Sequence, residues 1–145
     1  LIIDDDLDIA LACNADGVHV GQIDLPVHIV RKFLGSEKIV GLSINNEQQM
    51  LAIDPSVVGY VGVGPVFSTT TKPDAAAAIG IDGLAKLMKS CPVPAVAIGG
   101  IKSHHIAEIA ATGVQGVAVV SAICGQNDPL ASARELSELW KRFSN

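Results

Sequence analysis

The chain has 145 residues, 49% hydrophobic and 17% charged, which suits one globular domain with a sizeable core and excludes a disordered chain. Its net charge of -5 argues against a general nucleic-acid or membrane-surface binder, so an anionic ligand would need local cations, helix N-termini or a metal. The three cysteines, Cys13, Cys91 and Cys124, follow no pattern and read as small core residues of a reducing compartment.

Val- and Ile-rich runs alternate with stretches of helical period. In chain order, strands are predicted at Leu1 to Asp4, Gly17 to Val20, Ile39 to Ser43, Val57 to Gly64, Ala95 to Gly99 and Gly116 to Val120. The runs do not strictly alternate, as expected for strands buried on both faces. Helices are predicted between and after them, at Leu7 to Asn14, Pro26 to Leu34, Glu47 to Ile53, Asp82 to Lys89, Ser103 to Thr112 and Pro129 to Phe143. The last has Leu130, Ala133, Leu136, Leu139, Trp140 and Phe143 on one face, with Asp128 as N-cap and Pro129 as first residue. Gly35 and Gly113 stand where helices should stop. No apolar run approaches about 18 residues and the opening stretch does not read as a signal peptide, so the expectation is a soluble, cytoplasmic protein.

Six consecutive βα units with right-handed crossovers make a parallel sheet, doubly wound or barrel. Polar residues follow the C-terminal end of almost every strand: Asp4 and Asp5, Gln22 and Asp24, Ser43, Thr69 to Lys72, Gly99 and Gly100, and Ser121. A barrel collects its site from many strand ends, whereas an open sheet concentrates it at one switch point, so the barrel is favoured. A complete barrel has eight strands and roughly 200 or more residues. The expected architecture is therefore an α/β, (β/α)8 TIM barrel with about six of eight units present, residues 1–145 forming one domain that is incomplete at its N-terminus.

Three segments bear chemistry. "AVAIGGI" and "GVAVVSAI" are strands ending in small residues before a helix start. Gly99 and Gly100 allow close backbone approach to an anion, and Ser121 would open a short helix near Ala122 to Cys124 whose N-terminus favours phosphate. Either segment alone reads as a tight turn plus an N-cap; the pair at consecutive strand ends points to phosphate binding. In "LIIDDDLDIA", either Asp5 or Asp6 is an ordinary N-cap, or Asp4 and Asp5 face the site and Asp5 joins Asp24 on a divalent ion such as Mg²⁺, which takes one or two carboxylates with phosphate oxygens. The spacing leaves both open. The connection from Pro65 to Gly80 is long for a βα loop and displays Thr69, Thr70, Thr71 and Lys72, suiting either a lid over an anion or a flexible polar loop. Among the histidines, His19 reads as packed and hydrogen-bonded within a strand, and no nucleophile–base pair or metal-ligand spacing is present.

"GVHVGQIDLP", "GVGPVFSTTTK", "VAIGGI" and "VAVVSAI", in this order, resemble the thiamine-phosphate synthase (thiamine-phosphate pyrophosphorylase) family over essentially the whole chain. The resemblance implies a (β/α)8 barrel transferase that joins 4-amino-2-methyl-5-hydroxymethylpyrimidine diphosphate to 4-methyl-5-(2-phosphoethyl)thiazole, releasing pyrophosphate. It implies Mg²⁺ on Asp5 and Asp24 and the pyrimidine diphosphate against Asp4, Ser43 and Lys72, with Lys72 and Ser43 as catalytic groups. It places the thiazole phosphate against Thr69, Thr70, Thr71, Gly100, Val120 and Ser121. The implied partners are these small molecules, without nucleic acid or membrane, and homo-oligomerisation stays open. The chain departs from the family at Asp4, where Asn is usual, at Ser68, where Pro is usual, and at Ile23, where an acidic residue is common. The family's Gln-x-Arg-x-Lys strand would lie before Leu1. A thiazole tautomerase-like isomerase and a non-catalytic phosphate-binding barrel are the alternatives; the retained "TTTK" and both metal aspartates favour the synthase.

Overall fold

The computed structural model describes residues 1–72 and 76–144. In chain order they form β1 (Ile2–Asp4), α1 (Leu7–Ala12), β2 (Gly17–Val20), α2 (Val27–Leu34), β3 (Ile39–Ile44), α3 (Glu47–Leu51), β4 (Tyr60–Val63), α4 (Gly80–Met88), β5 (Ala95–Ile98), a 3₁₀ turn (Ser103–His105) leading into α5 (Ile106–Ala110), β6 (Gly116–Ala118) and α6 (Pro129–Phe143). The six strands pair in parallel in sequence order, β1-β2-β3-β4-β5-β6. Each strand lies beside its predecessor, so there is no switch point and the sheet curls like a barrel wall.

Register explains the two faces. Val18, Val40, Val61, Val63, Ala95 and Ala97 point to the helix side and are fully buried. They meet Leu7, Ala10, Val30 and Leu34 of α1 and α2 in one cluster, and Met50, Leu84, Leu87, Ile106, Ile109 and Leu136 in a second. Val27 and Leu42 pack against both clusters and join them. Each fully buried Val, Ile or Leu contributes about 1.5–3 kcal/mol. The opposite face carries the register rows Asp4–His19–Gly41–Tyr60 and Ser43–Gly62–Val96. Among the described residues no helix covers it, and Ile98 there remains 41% exposed.

Local chemistry sets most boundaries as expected. Asp128 accepts the Ala131 N–H at 2.9 Å and Pro129 opens α6. Gly35 and Gly113 end their helices at φ of +86° and +90°. Several expectations need correction. The helix expected over Ser103 to Thr112 begins as a 3₁₀ turn and stops at Ala110. The strand expected from Val57 starts at Tyr60, because the Val57 and Val58 N–H groups are used in a turn on the Asp54 carbonyl. The strand expected to reach Val120 ends at Ala118. The short helix near Ala122 to Cys124 is a turn, with the Ile123 and Cys124 N–H groups both on the Val120 carbonyl. Only the middle of the apolar stripe of α6 meets the core: Leu136 is buried and Leu139 and Trp140 pack beside it, while Leu130 is 61% exposed. Among the described residues no helix is long and apolar enough to cross a membrane.

Candidate active site

The loops after the strands converge on one cleft of about 340 Å³ over the uncovered face, lined by Asp24, Ser43, Thr69, Thr71, Lys72, Gly100, Val120 and Ser121 among others. Asp4, Asp5 and Thr70 are exposed and do not line it. A larger hollow of about 490 Å³ lies between the 3₁₀ turn and α6, but of the predicted residues it touches only Ser121. Residues 73–75, the middle of the expected lid, lie outside the described residues.

The three consecutive aspartates divide their tasks. Asp6 caps α1, its Oδ1 accepting the Ile9 N–H at 2.9 Å. Asp5 turns the chain at φ +63° and donates its N–H to the His19 carbonyl at 2.8 Å, which aims its side chain at the end of β2. There Asp24 is held by a tight turn, its Oδ2 accepting the Gly21 N–H at 2.6 Å. Burial first, then a hydrogen bond with Asp24 and the charges of Asp4 and Asp24, hold the Asp5 carboxyl above its ordinary 3.8, while the Lys72 ammonium opposes this. Two carboxylates in such contact call for a proton or a cation between them. This donor pair fits a Mg²⁺ ion that takes its remaining ligands from water and phosphate oxygens. Among the described residues there is no cluster of three His, Cys, Asp or Glu side chains able to cage a metal unaided.

Ser43, at the end of β3, is held from two sides. His19 Nε2 lies 2.9 Å from its Oγ, and Gln22 Nε2 donates to its carbonyl at 2.7 Å. The other ring nitrogen of His19, Nδ1, lies 2.9 Å from the Tyr60 hydroxyl. His19 is thus packed and hydrogen-bonded as its strand position suggested. Burial lowers its pKa below 6.5, Asp4 and Asp24 pull it up, and Lys72 lowers it further. Neither His19 nor Tyr60 was singled out from the sequence as a site residue. Register was the available signal: both share the cleft-facing row that contains Asp4.

The loop after β4 leaves along β5, with the Val66 and Phe67 N–H groups donating to the Ile98 and Gly99 carbonyls at 2.8 and 3.0 Å. It returns where Ile79 and Gly80 donate to the Pro65 and Val66 carbonyls, both at 2.9 Å. The loop is therefore a closed excursion on a fixed base, which presents Thr69, Thr71 and Lys72 to the cleft. Its base is also packed: the Phe67 ring stacks on His105 at 3.8 Å. Gly99 and Gly100, at φ +97° and +64°, have a structural reason beyond anion approach. A Cβ on Gly99 would lie 2.5 Å from Pro65 Cβ, and one on Gly100 2.6 Å from the Ser68 carbonyl oxygen. The turn at residues 121–125 follows, with Gln126 Nε2 donating to the Ser121 carbonyl at 2.9 Å.

Comparison with known proteins gives one answer. A sequence model of the family described as thiamine monophosphate synthase matches residues 1–123. A thiamine-phosphate synthase from Syntrophomonas wolfei is 48% identical over 142 residues, covering 98% of this chain and 68% of the relative. One from Laribacter hongkongensis is 50% identical over 138 residues, covering 95% and 65%. The solved thiamine phosphate pyrophosphorylase of Pyrococcus furiosus superposes with a TM-score of 0.90 at 35% identity, over 99% of this chain and 68% of that one. The chain spans about two thirds of the length of each. The 3-hexulose-6-phosphate synthase of Salmonella typhimurium, at 22% identity and a TM-score of 0.73, shares the fold.

Proposed function

We propose, from the premise that this chain belongs to the thiamine monophosphate synthase family, that its cleft binds a pyrimidine diphosphate and a thiazole phosphate and couples them to thiamine phosphate. One observation carries the reading. Hydroxyls from three strand ends, a lysine and a facing carboxylate pair meet around one cleft, which is the equipment for two phosphorylated ligands.

The reaction breaks the bond between the pyrimidine methylene carbon and the diphosphate oxygen. The electron pair leaves with pyrophosphate, and the thiazole nitrogen lone pair then forms the new carbon–nitrogen bond. No protein nucleophile is needed. The chain must hold a departing polyanion and keep water from a methylene cation. Lys72 and Ser43 hold the diphosphate as its charge grows, and Asp4 borders that site. Thr69 to Thr71, the backbone at Gly100 and Val120, and Ser121 hold the thiazole phosphate. Asp5 and Asp24 would hold Mg²⁺, which when bound offsets charge on the leaving pyrophosphate. The consecutive strand order supports reading the six units as part of a closed (β/α)8 barrel, whose phosphate sites lie at these strand ends.

The test is to supply the purified chain with both substrates and Mg²⁺. Thiamine phosphate and pyrophosphate should form in equal amounts. Retained thiazole phosphate binding without coupling would overturn the reading in favour of a binding module.

A further inference from the structure

The geometry points to a role for His19 as a positioning residue: held by Tyr60 at Nδ1, its Nε2–H donates to Ser43 Oγ and so turns the Ser43 proton into the cleft, toward an anionic acceptor. The inference rests on the proposed function for the identity of that acceptor, a phosphate oxygen, but not for the hydrogen-bond polarity itself.

The ring sits in a built recess. A Cβ on Gly41 would lie 2.4 Å from His19 Nδ1 and 2.4 Å from the Tyr60 ring, and one on Gly62 would lie 3.1 Å from His19 Cε1. Two neighbouring strands therefore present glycine where the imidazole lies across them. Both ring nitrogens are used, at 2.9 Å each, on residues 41 and 24 positions away in sequence. Two polarities satisfy the Tyr60–His19–Ser43 chain. In one, Tyr60 O–H donates to Nδ1, Nε2–H donates to Ser43, and the free proton is that of Ser43, which lines the cleft. In the other, Ser43 donates to Nε2, Nδ1–H donates to Tyr60, and the free proton is the phenolic one, which the half-buried ring would turn to water while Ser43 faces the cleft as an acceptor only. Phenol is also the stronger acid of the two hydroxyls and the better donor to an imidazole lone pair. The first polarity is therefore selected, and Gln22 completes it by fixing the Ser43 backbone.

Two readouts test this on the full chain. In ligand-free protein, ¹⁵N NMR of the imidazole should show protonated Nε2 and bare Nδ1; an Nδ1–H tautomer would overturn the assignment whatever the chain binds. Calorimetry with inorganic pyrophosphate and Mg²⁺ then reads the positioning role. His19→Leu and Ser43→Ala should each weaken pyrophosphate binding about tenfold, and the double variant should lose little more than Ser43→Ala alone. His19→Gln, whose amide still reaches Ser43 as a donor, should stay within about threefold of the parent. Losses that multiply in the double variant would overturn the positioning role. Should His19→Leu fail to fold, Tyr60→Phe serves instead: it should raise the Nδ1–H population and weaken binding in the same direction, and an unchanged tautomer would overturn the inference. If the parent chain binds no pyrophosphate, the proposed function fails, and the tautomer alone decides the hydrogen-bond polarity.

Discussion

A Cβ built on Gly100 lies 2.6 Å from the carbonyl oxygen of Ser68, so the glycine at the end of one strand is the seat of the loop from the strand before it. Gly100→Ala adds this collision to the strain of a side chain at φ +64°. It should destabilise the fold by about 1–3 kcal/mol and loosen the Thr69–Lys72 segment. At Gly113, φ is +90° but nothing lies within 4 Å, so Gly113→Ala carries the backbone strain without the collision and should cost about 1 kcal/mol. Denaturant midpoints compare the two; equal losses would remove the packing role of Gly100.

Lys72 lines the cleft beside Thr69 and Thr71, and its ammonium acts on both Asp5 and His19. A group that meets charge developing on the leaving pyrophosphate contributes to the rate more than to ground-state binding. Lys72→Ala should slow coupling about 100-fold while thiazole phosphate binding changes far less. Equal losses in rate and thiazole phosphate affinity would contradict this role.

The Asp5 carboxyl is held above 3.8 in the folded state, chiefly by partial desolvation and by Asp24. Its charge therefore costs stability at pH above that folded value, and the cost disappears as pH falls through it. Asp5 is exposed, which screens the effect. Asp5→Asn keeps a residue type that tolerates φ +63° and should raise the metal-free Tm at pH 7 by about 1–3 °C. The same variant should lose the Tm increase that Mg²⁺ gives the parent. Asp24→Asn still accepts from the Gly21 N–H and should raise the Mg²⁺ concentration needed for coupling. A Mg²⁺-dependent Tm unchanged in Asp5→Asn would exclude Asp5 as a ligand.

His105 titrates below 6.5, first because burial disfavours its charge and then because His104 lies beside it, with Lys102 adding to this and Glu108 opposing. Its Nδ1 also accepts the Lys102 N–H at 3.2 Å, which requires the neutral ring. A depressed folded pKa means that stability present above 6.5 falls away as pH drops below it. An NMR titration should give a midpoint under 6.5, and Phe67→Ala should move it back toward 6.5 by removing the stacked ring. A midpoint at or above 6.5 in the parent chain would refute the stack as the cause.

Periodicity and punctuation in the sequence were enough to determine the six βα units, the N-cap at Asp128 and the helix stops at Gly35 and Gly113, because these depend on neighbours within one helical turn. They also determined that polar residues gather at the strand ends. Which of those residues meet was decided only by the tertiary structure. Asp5 and Asp6 are chemically identical, and the turn at φ +63° alone sends one to Asp24 and leaves the other to cap α1. Gly99 and Gly100 read as openings for an anion, yet the packed loop base also requires them. The His19–Ser43–Tyr60 chain joins three strands across 41 residues and was invisible to any local pattern. Parallel register across β2, β3 and β4 puts the three on one face, and that register is set by burial of the opposite face, Val18, Val40 and Val61 against the helices.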